Sequence, residues 1–506
     1  MKPDNSIIII GGGFAGMAAG IYAQMNGYNT RIFEMHDKPG GLCTSWKRKG
    51  YTIDGCIHWL VGSNPATRMH DFWEEVGIAQ GLKIINMVEY MRFEDQGGRK
   101  LIFYTDLDRL EKHLLEFSPQ DAEPIRDFID GVKMCLPFDN PSLNEPLLKK
   151  WKNGLNMGAS FLLNGKRWKR WMNTTAEEFA GHFKDPMLAQ AFRHIWMPEF
   201  SMFFMLFTFA YLHNKNAGYP LGGSMPMSEA MAARYKSLGG TLHYNCRVEK
   251  ILTDNHQVTG VRLADGNEYL ADRVISAADG HSTLFGMLDG KYGDEQTFKP
   301  YEKWPRFPSL LFIGLGVNHT FDNIPHSISG TCHMLKEPVT IGGSVREFLW
   351  VHIFNHDKSM APEGKTTLTV MMHADYDYWK NLSEEKSTYE AAKEAVARAV
   401  TGLLEAYYPG ISKNVEMTDV ATPLTFERYT GNWKGSFEGW LITPENAGTI
   451  MKPMPKTIPG LKKFYMCGQW VEPGGGLPTG VMSGRKLTQM ICREDGRKFR
   501  TVSGNR

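Results

Sequence analysis

The stretch Gly11-Gly12-Gly13-Phe14-Ala15-Gly16 restricts what this chain can fold into more than any other segment. It follows Ser6–Ile10, a short β-branched run of the kind a buried parallel strand needs, and opens a helix-forming segment, Met17 to Asn26, closed by Gly27. Gly11 lets the chain turn sharply, Gly13 lets the backbone approach a pyrophosphate, and Gly16 lets helix and strand pack closely. The helix N-terminus, with Phe14 and Ala15 in its first turn, offers free N–H groups and positive dipole character to phosphates. Thr30–Glu34 reads as the next strand, so Glu34, with Met35 beside it, stands where a carboxylate accepts bonds from ribose hydroxyls. The same acid disfavours a 2′-phosphate. Strand, glycine turn, helix and acid in register imply a dinucleotide site.

A chain of 506 residues is too long for one core and predicts two or three interleaved domains. Apolar residues at 42%, charged residues at 22% and a net charge of +2 describe an ordinary folded protein with no electrostatic case for nucleic acid. The seven cysteines are scattered and never spaced as CxxC, which argues against a disulfide framework or a zinc site and for a reducing compartment. No histidine spacing suggests a metal. The longest apolar stretch, Phe200 to Leu212, is short of the roughly 20 residues a spanning helix needs. The expectation is a cytoplasmic protein, at most peripheral on the inner membrane face; oligomeric state is not readable.

Further along, Arg68 to Leu212 reads as mostly helical, and Gly218–Gly223 as a loop before a helix from Met227 to Leu238. Short strands follow at Thr241–Tyr244, Val248–Thr253, Val258–Arg262 and Asp272–Ser276, with Asp265-Gly266 as a turn. Arg306 to Asp375 reads as β-rich, Glu384–Tyr407 as a long amphipathic helix, and Thr422–Gly439 as turn-rich. The segment after Arg493 reads as frayed.

A second glycine system decides which dinucleotide is expected. Phe464–Cys467 reads as a strand ending at Gly468-Gln469. Gly474-Gly475-Gly476-Leu477-Pro478-Thr479-Gly480-Val481 then opens a helix, whose N–H groups suit a flavin ring edge and its ribityl-phosphate arm. Near Glu34, Lys38-Pro39-Gly40-Gly41-Leu42 adds a Gly-Gly pair that an NAD dehydrogenase has no reason to carry. Two separated glycine and helix-start sites suit an extended FAD. Together these motifs resemble the phytoene desaturase, carotenoid isomerase and retinol saturase family of FAD enzymes. Tyr219–Ser224, Val248-Glu249-Lys250-Ile251, Val274–Ala278 and Thr422-Pro423-Leu424-Thr425 with Gly435 and Gly439 extend the resemblance into the middle of the chain.

The resemblance implies an α/β protein with a Rossmann-type, glutathione-reductase-like FAD-binding domain, an interleaved α+β substrate domain and a helical cap. The implied division places FAD-binding parts at 1–67, 217–298 and 421–495, a helical substrate or cap region at 68–216, a β-rich substrate domain at 299–420, and a flexible tail at 496–506. It also places the Val248 backbone against adenine and Ala277 in a second strand signature. Many relatives carry arginine directly after the Gly-Gly pair, whereas this chain has Leu42 and Cys43. Phosphate charge is then left to helix N-termini and Lys38. With no partner cysteine nearby in sequence, Cys43 reads as packing rather than redox-active. Gly-Gly-Leu-Cys and His58 resemble the saturase and isomerase branch.

His58 has two readings, a histidine that holds a loop and a group that orients substrate or flavin. Trp196, Phe203, Phe204 and Phe207, with Phe200, Met205 and Phe209, are plain core or the wall of a tunnel for a long apolar substrate. The expected activity is saturation or desaturation of such a polyene, carotenoid-, retinoid- or lipid-like, with a free electron donor or acceptor (quinone, oxygen or a reduced carrier). A redox-neutral cis–trans isomerase using reduced flavin, an amine oxidase and a non-catalytic flavoprotein are the alternatives.

Overall fold

The computed structural model describes residues 5–138, 147–450 and 452–503. Its framework is a five-stranded parallel sheet in the spatial order Thr241–His243, Asn29–Phe33, Ser6–Ile10, Arg273–Ser276, Phe464–Met466. The central strand holds four isoleucines at 3% exposure or less. Burial of each contributes about 1.5–3 kcal/mol, which fixes that strand in the middle. Strands from the beginning, middle and end of the chain therefore share one sheet. Their C-terminal ends carry Ile10, Phe33 and Ala277 to one edge, the place where open α/β sheets bind ligands.

Helix Phe14–Met25 lies against helix Leu477–Glu494. A methyl group at Gly484 would stand 2.6 Å from both the Ala15 carbonyl oxygen and the Ala19 amide nitrogen, so glycine there permits the close approach. The contact brings the first and last glycine motifs side by side, with Gly480 facing Ala15.

The second body is a seven-stranded sheet ordered Val415–Ala421, Ser309–Val317, Thr366–Ala374, Ser344–Ile353, Thr331–Ile341, Glu89–Glu94, Lys100–Tyr104. All neighbours are antiparallel except Thr331–Ile341 with Glu89–Glu94. The region expected to be mostly helical thus lends two strands to this sheet. They alternate too weakly to stand out, since Glu89 through Phe93 are all buried. The remaining helices of that region pack over the sheet around Trp171, Phe128 and Phe209.

Three further expectations change. The Gly218–Gly223 loop begins as a strand, Ala217–Pro220, paired with Leu60–Val61 and Ile84–Ile85. The turn-rich stretch after Thr422 holds a helix, Pro423–Thr430, started by proline and a Thr422–Thr425 capping box and stopped at Gly431. The tail does not fray up to Ser503. Phe499 packs on Tyr22 at 5.9 Å, the Arg500 amide donates to the Asn26 side chain at 2.8 Å, and Arg497 lies over Tyr28. Residues 504–506 of the expected tail lie outside the described residues.

Candidate active site

One cavity of about 1960 Å³ runs between the two sheets. It exceeds the 300–1,000 Å³ usual for a single small ligand and offers room for a dinucleotide together with a long substrate. One end is a cradle of backbone. Gly13 pairs with Gly40 as an isolated parallel bridge, and the Gly40 amide donates to the Gly12 carbonyl at 2.9 Å. Gly41, at φ +61°, has its Cβ direction 3.4 Å from the Gly13 Cα, so a side chain there would fill the gap a phosphate arm needs.

Gly16 does not line the cavity. A methyl there would overlap the Gly11 carbonyl oxygen and crowd Ala277, and the residue's part is the close packing of helix on strand. Glu34 stands just past the second strand, 5% exposed. Its carboxylate accepts from the Gly12 amide at 2.6 Å and the His36 amide at 2.8 Å. Burial raises its pKa, and those amides pull it back.

The C-terminal glycines close the other side. The Gly468 amide donates to the Ser483 hydroxyl at 2.9 Å, and Lys456 bridges Ser483 and Glu472, fixing the turn below the helix start. Gly476 caps helix Leu477–Glu494, whose first turn carries no acid. Gly11, Gly13, Phe14, Ala15, Glu34, Met35, Gly40, Gly41, Leu42, Val248, Ala277, Gly468, Gln469, Gly476, Leu477, Thr479 and Gly480 all line this one cavity. Gly16, Lys38 and Val481 do not; Val481 is fully buried core behind the turn. Two helix N-termini aimed at one cavity and a side-chain-free cradle between them fit an extended FAD.

The other half of the cavity is aromatic. Helix Met202–His213 is apolar all round. It turns Phe203, Phe204, Phe207, Thr208 and Tyr211 into the cavity, while Met205, Leu206 and Phe209 pack in the core. Trp196 stands in the cavity wall edge-on to Trp59, ring centroids 5.9 Å apart, and Trp59 in turn meets Tyr90 at 5.6 Å. The aromatic cluster divides accordingly: Trp196, Phe203, Phe204 and Phe207 are wall, and Phe200, Met205 and Phe209 are core.

His58 follows the hairpin Ser45–Arg48/Tyr51–Asp54 and lines the cavity. Its loop is fixed by Asp54, a fully enclosed carboxylate that accepts from the Cys56 and Ile57 amides and from the Ser224 amide and hydroxyl, the last two at 2.6 Å. Burial lowers the His58 pKa to about 4, so the ring is neutral at neutral pH. The hairpin register also places Cys56 opposite Cys43. The cysteine read as partnerless has a neighbour after all, and both thiols are free. A hydrogen bond to the Cys43 side chain, with burial, pushes the Cys56 thiol well up, which suits packing rather than a reactive thiolate.

Two carboxyl groups of the lining escaped the sequence reading. Glu438 accepts from the Gly476 amide at 3.2 Å and crowds Gly475; burial, with no cationic partner among the described residues, pushes its pKa up to about 8. Asp279 accepts from the Ser282 amide at 2.7 Å and the Trp433 amide at 2.9 Å, and burial pushes it up to about 6. Glu438 lies in the segment ending at Gly439 that the motifs had marked, but no spacing told which way its side chain points.

The sequence pattern described as Flavin containing amine oxidoreductase matches residues 14–492. The chain is 26% identical over 509 residues to a phytoene desaturase (lycopene-forming) of Paracoccus sp., covering 96% of this chain and 97% of that protein. It is 24% identical to a chloroplastic prolycopene isomerase of Arabidopsis thaliana, covering 97% and 83%. Among solved structures it superposes on an oxidoreductase from Methanosarcina mazei with a TM-score of 0.58 at 16% identity (96% and 100% covered). It superposes on cyclohexylamine oxidase from Brevibacterium oxydans with 0.60 at 14% (98% and 100%). These last two likenesses concern the fold.

Proposed function

The chain belongs to the flavin-containing amine oxidoreductase family and is an FAD-dependent oxidoreductase, and from that premise we propose that it saturates or desaturates carbon–carbon bonds of a long apolar polyene. The observation that carries this reading is the continuity of the cavity: the glycine cradle and the aromatic wall of Trp59, Trp196, Phe203 and Phe207 share one space. A conjugated chain needs flat apolar walls and few polar partners, and those rings supply them.

FAD, when bound, supplies hydride exchange at its ring. The residues proposed to hold it are Gly11, Gly13 to Ala15, Glu34, Gly40 to Leu42, Val248, Ala277, Gly468, Gln469 and Gly476 to Gly480. On this reading the FAD-binding half is drawn from within 1–67, 217–298 and 421–495, and the substrate half from within 68–216 and 299–420. The helix starts at Phe14 and Leu477 meet phosphate charge, and Glu34 anchors a ribose. Glu438, protonated at neutral pH, offers a hydrogen-bond donor beside the C-terminal turn. The neutral ring of His58 faces the reacting end of the cavity. The aromatic wall orients the polyene and excludes water.

The electron partner is a free carrier. Gly314-Leu315-Gly316, the other short glycine repeat, lies inside a strand of the seven-stranded sheet rather than at a helix start. Among the described residues no helix is long and apolar enough to cross a membrane. Segment Leu147–Asn173 nevertheless carries Lys152, Lys166, Arg167 and Lys169 with Trp151, Leu155 and Leu163 exposed at 69%, 54% and 83%. A basic helix with outward apolar groups supports contact with an anionic membrane surface, where such a substrate dissolves.

The kinship with prolycopene isomerases supports a second reading, cis–trans isomerisation without net redox change. Titration of the flavin-loaded protein with polyenes and with alkylamines of matched length tests the site. Saturable changes in the flavin spectrum with polyenes alone are expected; a response to amines alone would sink the reading.

A further inference from the structure

Four imidazoles lie in a row behind the cavity wall. His58 lines the cavity, and its ring stands edge-on to His352 at 5.2 Å between centroids. His352 stacks on His356 at 5.7 Å, and His356 faces His326 at 5.7 Å. His326 is exposed on the opposite side. His352 is 2% exposed, and neither of its ring nitrogens meets a partner among the described residues. The nitrogens of His356 have no well-formed hydrogen bond either; the Ile353 carbonyl is a weak neighbour. Buried polar groups of this kind are commonly satisfied by ordered water. A metal is not what the row is built for: among the described residues no three histidine, cysteine, aspartate or glutamate side chains converge on a point.

We propose that His58, His352, His356 and His326 form a proton path joining the substrate cavity to solvent. The inference rests on the oxidoreductase reading and gives it a missing part. Forming a C=C bond removes a hydride, for which bound FAD would be the acceptor and the free carrier the onward oxidant, and a proton, which must leave. Reducing the bond needs a hydride and a proton that must arrive. The Trp and Phe rings of the wall cannot relay a proton, whereas an imidazole accepts a proton at one ring nitrogen and gives it up from the other.

Burial holds His58, His352 and His356 neutral, the state in which each can both accept and donate. The charged group facing the row is Asp357, next to His356. It accepts from the Tyr219 hydroxyl, the Gly222 amide, and the Ser359 amide and hydroxyl. Trp59 and Trp350 flank His58, and Phe354 flanks His352 and His356, closing the sides.

Two measurements decide it. In the resting holoenzyme with ¹⁵N-labelled histidine, water exchange of the His352 and His356 ring protons within seconds is expected despite their burial; protection for hours would overturn the path. No substrate enters that experiment, so its failure leaves the polyene reading standing. In anaerobic half-reactions, His326→Asn and His352→Phe are each expected to slow flavin turnover by about a hundredfold, the low side of what proton transfer contributes. Millimolar imidazole is expected to restore the surface variant and leave the buried one slow. Rates unchanged in both variants, or lost in His326→Asn without imidazole rescue, would contradict the proposal.

Discussion

Glu438→Gln is expected to make the flavin-free protein more stable in alkali while leaving it nearly unchanged in mild acid. Glu438 lines the cavity, accepts from the Gly476 amide and has no cation beside it among the described residues, so burial holds its carboxyl protonated up to about pH 8 in the folded state against 4.5 for an ordinary glutamate. Between those values the folded protein holds a proton that the unfolded chain has released. Folding stability therefore falls as pH rises through that window and levels off above about 8. At 1.36 kcal/mol per pH unit the window amounts to about 5 kcal/mol, an upper figure because water in the cavity screens the charge. For a chain of this length that corresponds to at most about 5 °C in Tm. Glutamine keeps the acceptor for Gly476 and removes the titration. Asp279, pushed up to about 6 with the same sign, is common to both proteins and cancels. Thermal unfolding of both apoproteins from pH 5 to 9 should show the variant's lead widening steadily from about pH 5 and becoming constant above about pH 8. Parallel curves across the whole range would refute the claim that this carboxyl is enclosed and unpaired.

Gly16→Ala sets a methyl group against the Gly11 carbonyl, a backbone atom with no rotamer to yield, and is expected to weaken FAD binding by at least about tenfold, the roughly 1–3 kcal/mol of an overpacked contact; flavin fluorescence quenching measures it. Glu34→Ala strips the acceptor from two backbone amides, bonds worth about 1.5–3 kcal/mol each when the acceptor is charged, and should raise the FAD Kd about ten- to hundredfold. An unchanged Kd would remove Glu34 from the site. Phe207→Ala opens the aromatic wall and should cost substrate binding, read in KM, while FAD affinity holds.

The parts of the fold most legible in sequence are those where backbone chemistry demands a residue type. Gly11, Gly16 and Gly40 are required by turns and contacts that a Cβ would block, and the strands around them carry isoleucine because both faces are covered. The glycine cradle was readable for that reason. The aromatic wall of the cavity was not, because an apolar cavity wall and an apolar core use the same residues: Phe203 and Phe209 differ only in which way one helix turns them. Strand Glu89–Glu94 was lost among helices because its partner Thr331–Ile341 lies more than two hundred residues away, and Lys100–Tyr104 joins the sheet only by pairing with Glu89–Glu94. Cys43 and Cys56 are opposed by a hairpin register that emerges only once its turn at Lys49-Gly50 is placed. The row of histidines is likewise invisible in sequence, its members lying at 58, 326, 352 and 356.

The most direct test records the visible spectrum of the flavin-loaded protein anaerobically, adding polyenes to the oxidised and then to the reduced form. The account predicts two-electron exchange, seen as bleaching of the oxidised flavin or reoxidation of the reduced flavin, with a matching gain or loss of one double bond in the polyene. A polyene whose spectrum shifts while the flavin stays reduced, or a protein that takes up no FAD at all, would contradict it.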